Sequence, residues 1–569
     1  MPRSASPRPE ASPRPNAGPR GNSGPQANSG PRGNAGPQAN AGPRGNGGPP
    51  AGAGPRGNAG AQANAGAQAN AGAQANAGAA RRAALLTVLA VVACAALAAC
   101  SPPRQPGPRD PTYAELGHQA LHTLEHGYYD GAGEWNVCVP HICGTGNVDW
   151  GADSLTYALY FHWSLTHDRG VRPIMSALDG TAASYSPAVH TSSDVPVWDA
   201  IADVREFQVT QNPEAIAKAE AAFRFVSGGG SRFALGACPA VDYQQPGGGG
   251  TRLKTLETGS NYIKAALLLY QLTRFPGYLR DAEREYAAVR RYFLSPGVPL
   301  YTVYVFDNGP ACTQVPGRYF GSVNGNMIWA GLYLARATGD ASYLGQAVAT
   351  ARAVTRHLGD ATGVYADLQA ENDVTEPLIE AMYDLATAGR QGFARYWLLA
   401  AASAAASGST TGGTYGRFFG GPPPRAPVTA WQVNGGLTLA LAAAALDPRG
   451  RPADPGFWRH AAFVRHYLRL SGRPVQFTFT GRAVAIIGTI GEVCCQPGHA
   501  QVFIDGTRTY DQTGIWQDKS SSGRSLPDSV LFAWRWPAPG RHTIQIRPGI
   551  PNAKEGSPFF HMTGYEVVR

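Results

Sequence analysis

The spacing of apolar residues divides the chain into two regions with different predicted secondary structure. From about residue 111 to 470 apolar residues recur at helical spacing, as at Leu267, Tyr270 and Leu272. Helix-start signals accompany the pattern, for example Asn212-Pro213-Glu214, which combines a cap residue, a first-turn proline and an acid. Helices are predicted to start near Pro111, Trp150, Pro196, Pro213, Glu257, Pro276, Asn324, Asp340, Glu376, Gly392, Val428 and Pro455.

About twelve helices in consecutive pairs favour six helical hairpins closed into an (α/α)6 toroid over residues 111–470. A helical solenoid is the alternative architecture for the same pattern. From about residue 474 apolar and polar residues alternate instead, as in Val475-Gln-Phe477-Thr-Phe479. Short alternating segments separated by Gly, Pro and Asp predict a small antiparallel β-sandwich over 474–569. The predicted fold class is therefore mainly α, with a C-terminal β domain.

The first 80 residues form a region of their own. Residues 2–80 contain no Val, Leu, Ile or Phe, so they cannot bury a core, and we expect a disordered tail. Glycine recurs at every third position in places, as in collagen. Ala27, Ala39 and Ala63 interrupt that register, which favours a flexible tail over a triple helix.

Residues 81–100 have the form of a bacterial lipoprotein signal. Arg81-Arg82 precede an apolar run over 83–99, which ends in Leu97-Ala98-Ala99-Cys100, a lipobox pattern. The run is shorter than the roughly 20 residues of a membrane-spanning helix. We expect cleavage before Cys100, lipid on this cysteine, and an extracytoplasmic protein anchored to the bacterial membrane through a linker at 101–110. Retention as a signal anchor with a cytoplasmic tail is the alternative.

The remaining cysteines suit an oxidising compartment. Six cysteines follow Cys100, an even number: Cys138, Cys143, Cys238, Cys312, Cys494 and Cys495. We expect disulfides, with the pairing open and a vicinal Cys494–Cys495 bond among the options. Cys138-Val-Pro-His141-Ile-Cys143 resembles half of a metal site, but no second half with matching spacing follows. Neither a metal nor a cofactor is predicted.

The net charge of +9 belongs almost entirely to the tail. Residues 1–82 contribute +8, and the rest of the chain contributes +1. The folded region is thus near neutral and rich in aromatic residues, which argues against nucleic acid as a partner and suits a neutral, polyhydroxylated one.

Acids, amides and tryptophans cluster at the predicted helix starts. Indole rings stack on the CH faces of sugars, and sugar hydroxyls need paired donors and acceptors. The candidate substrate-binding residues are Asp149, Trp150, Asp153, Trp198, Asn324, Asn326, Glu371, Asp373, Trp431 and Asn434. Helix capping, dipole complementarity and core packing explain the same residues without a ligand.

The helical region resembles glycoside hydrolase family 76, the endo-α-1,6-mannanases. The resemblance rests on four segments that follow the order of the family: 198–213, 257–261, 319–326 and 337–344. It implies an (α/α)6 barrel that acts on a mannan-like polysaccharide or oligosaccharide. The β region resembles the β-sandwich domains appended to sugar-active enzymes, which implies carbohydrate binding or structural support.

The catalytic motif of that family is incomplete in this chain. Family members carry two adjacent aspartates before a tryptophan; placed on Trp198, these positions are Asp194 and Val195. Retaining hydrolysis needs two carboxyls about 5 Å apart, one as nucleophile and one as acid/base. Asp194 is the expected nucleophile. Candidates for the second carboxyl are Asp199, Asp203, Glu371 and Asp373.

Three hypotheses follow. The first is a surface-anchored glycosidase that acts on a mannan-like polysaccharide. The second is a glycan-binding lipoprotein that has kept the barrel and lost the aspartate pair. The third is a different six-hairpin enzyme, such as a polysaccharide lyase or an unsaturated-uronide hydrolase.

Overall fold

The structure is a computed structural model. It describes residues 110–129, 131, 135–136, 138–139, 149–178, 192–228, 238–241, 253–309, 311–317, 319–365, 374–425, 427–470, 474–490, 498–509, 515–517, 526–548 and 560–569. The tail, the signal segment with Cys100, and almost all of the linker lie outside this part of the chain. So do Cys143, Glu371, Asp373, Cys494 and Cys495.

Helices fill most of the chain from residue 113 to 446. They are α1 Tyr113–Thr123, α2 Asp149–Thr166, α3 Arg172–Leu178, α4 Asp194–Thr210, α5 Pro213–Gly228, α6 Leu256–Thr273, α7 Pro276–Phe293, α8 Gly321–Thr338, α9 Ala341–His357, α10 Glu376–Thr387, α11 Gly392–Ser407 and α12 Ala430–Leu446. A π-helical turn, Leu124–Tyr128, extends α1. Every predicted helix start lies within three residues of an observed one, except the start near Pro455.

The even-numbered helices form a closed inner ring. Each packs on the next, and α12 packs on α2, which closes the circle. The odd-numbered helices lie outside, and α1 packs against α12, so the first helix completes the last hairpin. This confirms the (α/α)6 toroid and excludes a solenoid, whose two ends do not meet.

The extent of burial distinguishes the inner helices from the outer ones. Every residue of α12 from Ala430 to Ala443 is buried, as expected of a helix that neighbours surround on all sides. The outer helix α7 is amphipathic: Tyr286 and Val289 are buried on one side, whereas Arg290 is partly exposed.

Four of the connections that lead from an outer to an inner helix share one design. Each contains an isolated antiparallel bridge that ends at a buried aromatic residue: Trp135, Tyr301, Tyr365 or Tyr415. A glycine with positive φ turns the chain shortly before that residue: Gly131, Gly297, Gly363 or Gly413. These loops return the chain to the inner ring.

The C-terminal domain is antiparallel, as predicted. Its strands are β6 Ala462–Leu470, β7 Val475–Ile490, β8 Gly498–Ile504, β9 Thr507–Arg508, β10 Ile515–Gln517, β11 Leu526–Pro548 and β12 Phe560–Val568. They join in one sheet in the order β10-β8-β11-β7-β12-β6, with β9 beside β8. Register shifts between β7 and β11 mark the points where these long strands bend. Short strands also occur among the helices: β1 Cys138–Val139, β2 Leu253–Thr255, β3 Tyr304–Asp307, β4 Cys312–Gln314 and β5 Val428–Thr429.

The start of this domain corrects the sequence analysis. The predicted helix near Pro455 does not form; turns precede β6, which pairs with β12. The sheet therefore begins within the range 111–470 that we assign from sequence to the helical region. Phe463 and Val464 fit either a helix or a strand, and pairing with a strand about 100 residues later decides between them.

The sheet packs directly on the helical domain. Because strand side chains alternate, Val484 and Ile486 of β7 enter the core of the C-terminal domain. Ala483, Ala485 and Ile487 face the other way, into an apolar cluster that includes Phe418, Phe457 and Trp458.

A disulfide joins Cys238, in the segment between α5 and α6, to Cys312 of β4. Cys138 is also disulfide-bonded. Among the described residues no helix is long and apolar enough to cross a membrane, and no cluster of His, Cys, Asp or Glu is suited to a metal ion.

Candidate functional site

The first turns of the six inner helices meet at one end of the barrel. Because each inner helix follows an outer one, all six run in the same direction, and their N-termini surround the same opening. Side chains near these N-termini connect neighbouring helices. Trp198 of α4 donates its indole N–H to Glu257 of α6 over 3.1 Å, and Asn326 of α8 donates to Asn261 of α6 over 2.6 Å.

The remaining links complete the ring. Asn434 of α12 donates to Glu376 of α10 over 2.7 Å, and Trp431 of α12 donates to Ser154 of α2 over 3.0 Å. The edge of Tyr157 of α2 contacts the Trp198 ring, with the ring centres 5.9 Å apart.

Helices α8 and α10 touch through their backbones at Gly325. A Cβ on this glycine would lie 2.5 Å from Leu378 Cα, so only glycine permits this approach. The motif Asn324-Gly325-Asn326 thus combines a close helix contact with two amides that make specific hydrogen bonds.

The structure places the predicted substrate-binding residues in different surroundings. Trp198, Asn326, Trp431 and Asn434 belong to the ring and are almost completely buried. Asn324 holds the loop before α8: its amide accepts from Tyr301 N over 2.9 Å and donates to Tyr301 O over 3.1 Å. Asp153 is partly exposed on α2, and Asp149 and Trp150 are the first residues of that helix.

Asp194 is the first residue of α4 and lies at the opening. It is half-buried, and its carboxyl accepts a hydrogen bond from Thr258 of α6. Desolvation by the surrounding protein outweighs this bond and raises the pKa of Asp194 to about 7. A carboxyl of this kind carries its proton near neutral pH, which suits an acid rather than the nucleophile that we expect from the sequence.

Helix geometry separates Asp194 from two of its predicted partners. Asp203 follows Asp194 by nine residues, about two and a half turns, and so lies on the opposite face of α4. Asp199 is also well off the Asp194 face. By contrast Trp198 and Arg205, four and eleven residues after Asp194, share its face.

Glu257 lies at the same contact between α4 and α6 as Asp194, and sequence reasoning did not select it as a site residue. It is adjacent to Thr258, which binds Asp194, and it accepts from Trp198, which lies one turn after Asp194. The two carboxyls therefore flank the same seam between α4 and α6.

Beneath the opening lies a buried charged network that the sequence analysis also missed. Glu380 of α10 accepts hydrogen bonds from Arg205 of α4 and, over 2.6 Å, from Lys264 of α6. All three side chains are almost completely buried. The two cations hold the pKa of Glu380 below its usual range, although burial opposes them, and burial lowers the pKa of Lys264 to about 8.

Aromatic rings and further polar groups enclose the same network. Lys264 Nζ lies 4.6 Å from the centre of the Tyr157 ring and 5.0 Å from that of Trp329. One turn beyond Glu380, Asp384 accepts a hydrogen bond from Tyr333 over 2.9 Å. In the sequence, the signal that could have indicated this network was Lys264, a lysine within the apolar run of α6.

Solved structures with this helical architecture come from glycoside hydrolase family 76. The α-1,6-mannanase of a Salegentibacter species is 20% identical, with a TM-score of 0.52, over 59% of this chain and 100% of that chain. An inactive variant of it, with two adjacent aspartates changed to asparagine, contains α-1,6-mannotriose; it is 18% identical, with a TM-score of 0.51 and the same coverage.

An α-mannanase of the same family from Bacteroides thetaiotaomicron is 16% identical, with a TM-score of 0.50, over 59% of this chain and 97% of that chain. No protein-family model matches the sequence, and no curated protein does. At these identities the likeness establishes the fold. The resemblance to family 76 that the four sequence segments indicate is confirmed at that level.

Proposed function

We propose that this protein is a glycoside hydrolase that cleaves a mannan-like polysaccharide at the opening of its helical barrel. The observation that carries the proposal is Asp194, a carboxyl at this opening whose pKa is raised to about 7. A protonated carboxyl is what cleavage of a glycosidic bond requires of its general acid.

Two carboxyls share the chemistry in this proposal. Asp194 donates its proton to the oxygen of the departing sugar, so that this oxygen leaves as a hydroxyl. Glu257 is the second carboxylate, in place of the aspartate that Val195 replaces. The hydrogen bond from Trp198 orients it.

The substrate class rests on the fold and on charge. The Salegentibacter enzyme acts on α-1,6-mannan, and its inactive variant binds α-1,6-mannotriose. The region after the tail has a net charge of only +1, which suits a neutral polysaccharide.

We also propose that the mature protein is lipid-anchored outside the cytoplasm. The lipobox ending at Cys100 supports this location, and so does the Cys238–Cys312 disulfide, since such bonds persist in oxidising compartments. Labelling with a radioactive fatty acid should mark the wild type and not Cys100→Ser; a wild type that takes up no label would favour the signal anchor.

A second candidate function is glycan binding without hydrolysis. Val195 favours it, because the inactive variants of the Salegentibacter enzyme lack the two adjacent aspartates, and here an apolar residue occupies one of those positions.

One experiment separates these functions. The purified protein is incubated with α-1,6-mannan, and new reducing ends are measured beside retardation of the protein in mannan-containing gels. Hydrolysis that falls at least 100-fold in Asp194→Asn and persists in Asp203→Asn supports the proposal. Gel retardation without reducing ends selects the binding function, whereas unsaturated products indicate a lyase.

A further inference from the structure

The C-terminal sheet carries a cleft that the chemistry of the barrel does not use. Its volume is about 740 Å³, and it lies where β7, β11 and the end of β12 converge. Thr480 and Gly481 of β7 line it together with Arg541 of β11 and Arg569, the residue after β12.

The close approach of these strands has a local cause. A Cβ on Gly481 would lie 2.5 Å from the backbone oxygen of Val568, so the glycine allows the end of β12 to reach β7. The next residue, Arg569, lines the cleft together with Thr480. Arg541 is paired with Thr480 in the β7–β11 register, so the two arginines enter one cleft from different strands.

The charged side chains that line this cleft are both arginines, and among the described residues no carboxylate side chain lines it. Arg541 and Arg569 are exposed, and neither makes an ion pair or a side-chain hydrogen bond within the described part of the chain. By contrast, Arg482 pairs with Asp454 over 3.2 Å, and Arg425, in the segment before β5, pairs with Glu566 of β12. Two unpaired guanidinium groups in one cleft are suited to an anion, since each presents several N–H donors.

Neutral polar groups continue from the cleft along the outer face of the same strand pair. The hydroxyls of Thr478 and Thr543 lie 3.1 Å apart across the strands. One step further, Gln545 Nε2 lies 3.5 Å from Gln476 Oε1. Hydroxyl and amide groups of this kind pair with sugar hydroxyls.

Behind this face, packed rings hold the strands in place. Trp536 stacks on His542 with the ring centres 3.9 Å apart, and its edge meets Phe479 at 5.7 Å. Phe479 is buried and lines the cleft from within. The arginines therefore project from a rigid, bent region of the sheet.

We propose that this cleft binds an acidic saccharide, a sugar chain that carries carboxylate or phosphate groups. Arg541 and Arg569 bind the anionic group, and the threonine and glutamine side chains bind the hydroxyls of the adjoining sugars. This function is separate from the barrel and does not depend on hydrolysis there.

The test measures binding of the purified protein to polygalacturonate, to a phosphorylated mannan and to neutral α-1,6-mannan. We expect Arg541→Gln and Arg569→Gln each to weaken binding to one or both acidic polymers at least tenfold. Binding to neutral mannan stays unchanged, and higher salt weakens only the acidic interaction. The polymer that binds tells whether carboxylate or phosphate is preferred.

Arg465→Gln is the matched control, because Arg465 is exposed on β6 of the same sheet and does not line the cleft. It removes the same charge, so an equal loss in this variant would overturn the proposal in favour of unspecific attraction. Binding of phosphatidylglycerol vesicles but of neither acidic polymer would also overturn it. Asp194→Asn must leave acidic-polymer binding intact, which keeps this result distinct from failure of the barrel proposal.

Discussion

Trp198 of α4 donates its indole N–H to the carboxylate of Glu257 on α6, with 3.1 Å between nitrogen and oxygen. Asp194 lies one turn before Trp198 on the same helix face. This bond orients a second carboxylate at the seam where the first one lies, and in the proposed mechanism Glu257 takes the place of the aspartate that is absent at position 195.

Replacing Glu257 by Gln tests this role. The amide oxygen still accepts from Trp198, so the ring of helices stays intact, but the negative charge is lost. We expect the hydrolysis rate on α-1,6-mannan to fall 100-fold or more, with KM little changed. Glu220→Gln on the outer helix α5 is the control and should retain full activity. An active Glu257→Gln variant would remove this residue from the mechanism.

Hydrolysis should depend on pH with an alkaline limit near neutrality. As a general acid Asp194 is competent only while protonated, and its pKa is about 7. We therefore expect kcat/KM to decline as pH rises through about 7, by about tenfold for each further pH unit. A rate that increases across this range would contradict the acid role and return Asp194 to the role of nucleophile.

The raised pKa of Asp194 should also affect the free energy of unfolding, independently of catalysis. Because the folded protein holds the Asp194 proton more tightly than the unfolded chain, stability is lost as pH rises from about 4 to about 7. The asparagine in Asp194→Asn does not titrate, so the stability of this variant does not fall for this reason. Its advantage over the wild type, measured by urea unfolding, should grow by about 1–2 kcal/mol between pH 5 and pH 8.

Asp340 provides a control, because its pKa is shifted in the opposite direction. It caps α9 by accepting from Ser342 N over 2.8 Å, and this bond lowers its pKa. Asp340→Asn should therefore lose stability relative to the wild type at pH 8, and the difference should shrink in acid. Identical pH trends in the two variants would exclude a specific effect of burial at Asp194.

The charged network below the opening should be sensitive to loss of Glu380, the carboxylate that both cations contact. Glu380→Gln leaves Arg205 and Lys264 buried around a neutral amide, and we expect a loss of about 3–5 kcal/mol in unfolding free energy. Adding Lys264→Met should recover part of that loss, because one buried cation is then absent. Asp281→Asn, which breaks the surface pair with Arg284 on α7, should cost less than about 1 kcal/mol. If Glu380→Gln and Asp281→Asn lose the same unfolding free energy, burial does not explain the importance of the Glu380 pairs.

Close packing of α8 on α10 should make Gly325 intolerant of any side chain. In Gly325→Ala the new Cβ meets Leu378 backbone atoms at 2.5 and 2.6 Å, and no side-chain rotation relieves that contact. We expect a loss of about 1–3 kcal/mol. Gly345→Ala on α9 is the matched control, because nothing lies within 4 Å of its Cβ and alanine is the better helix former. It should gain up to about 1 kcal/mol in thermal or urea unfolding, and a similar change in both variants would contradict the packing argument.

Local signals in the sequence were sufficient to place eleven of the twelve described helices; α3, Arg172–Leu178, was not predicted. Prolines, cap residues and helical spacing act within one turn, so starts such as Pro213, Pro276 and Glu376 coincide with the structure. The helix predicted near Pro455 was wrong because β6 owes its conformation to pairing with β12, a contact that local spacing does not encode.

The sequence by itself determined a helical domain of hairpins, an antiparallel C-terminal domain, and a set of polar and aromatic residues at helix starts. Tertiary structure decided which of these residues meet. Closing the ring brings Glu257 to Trp198 and Glu380 to Lys264, across 59 and 116 residues of chain. Spacing along a helix shows which residues share a face, whereas partners on other helices depend on how the whole ring closes.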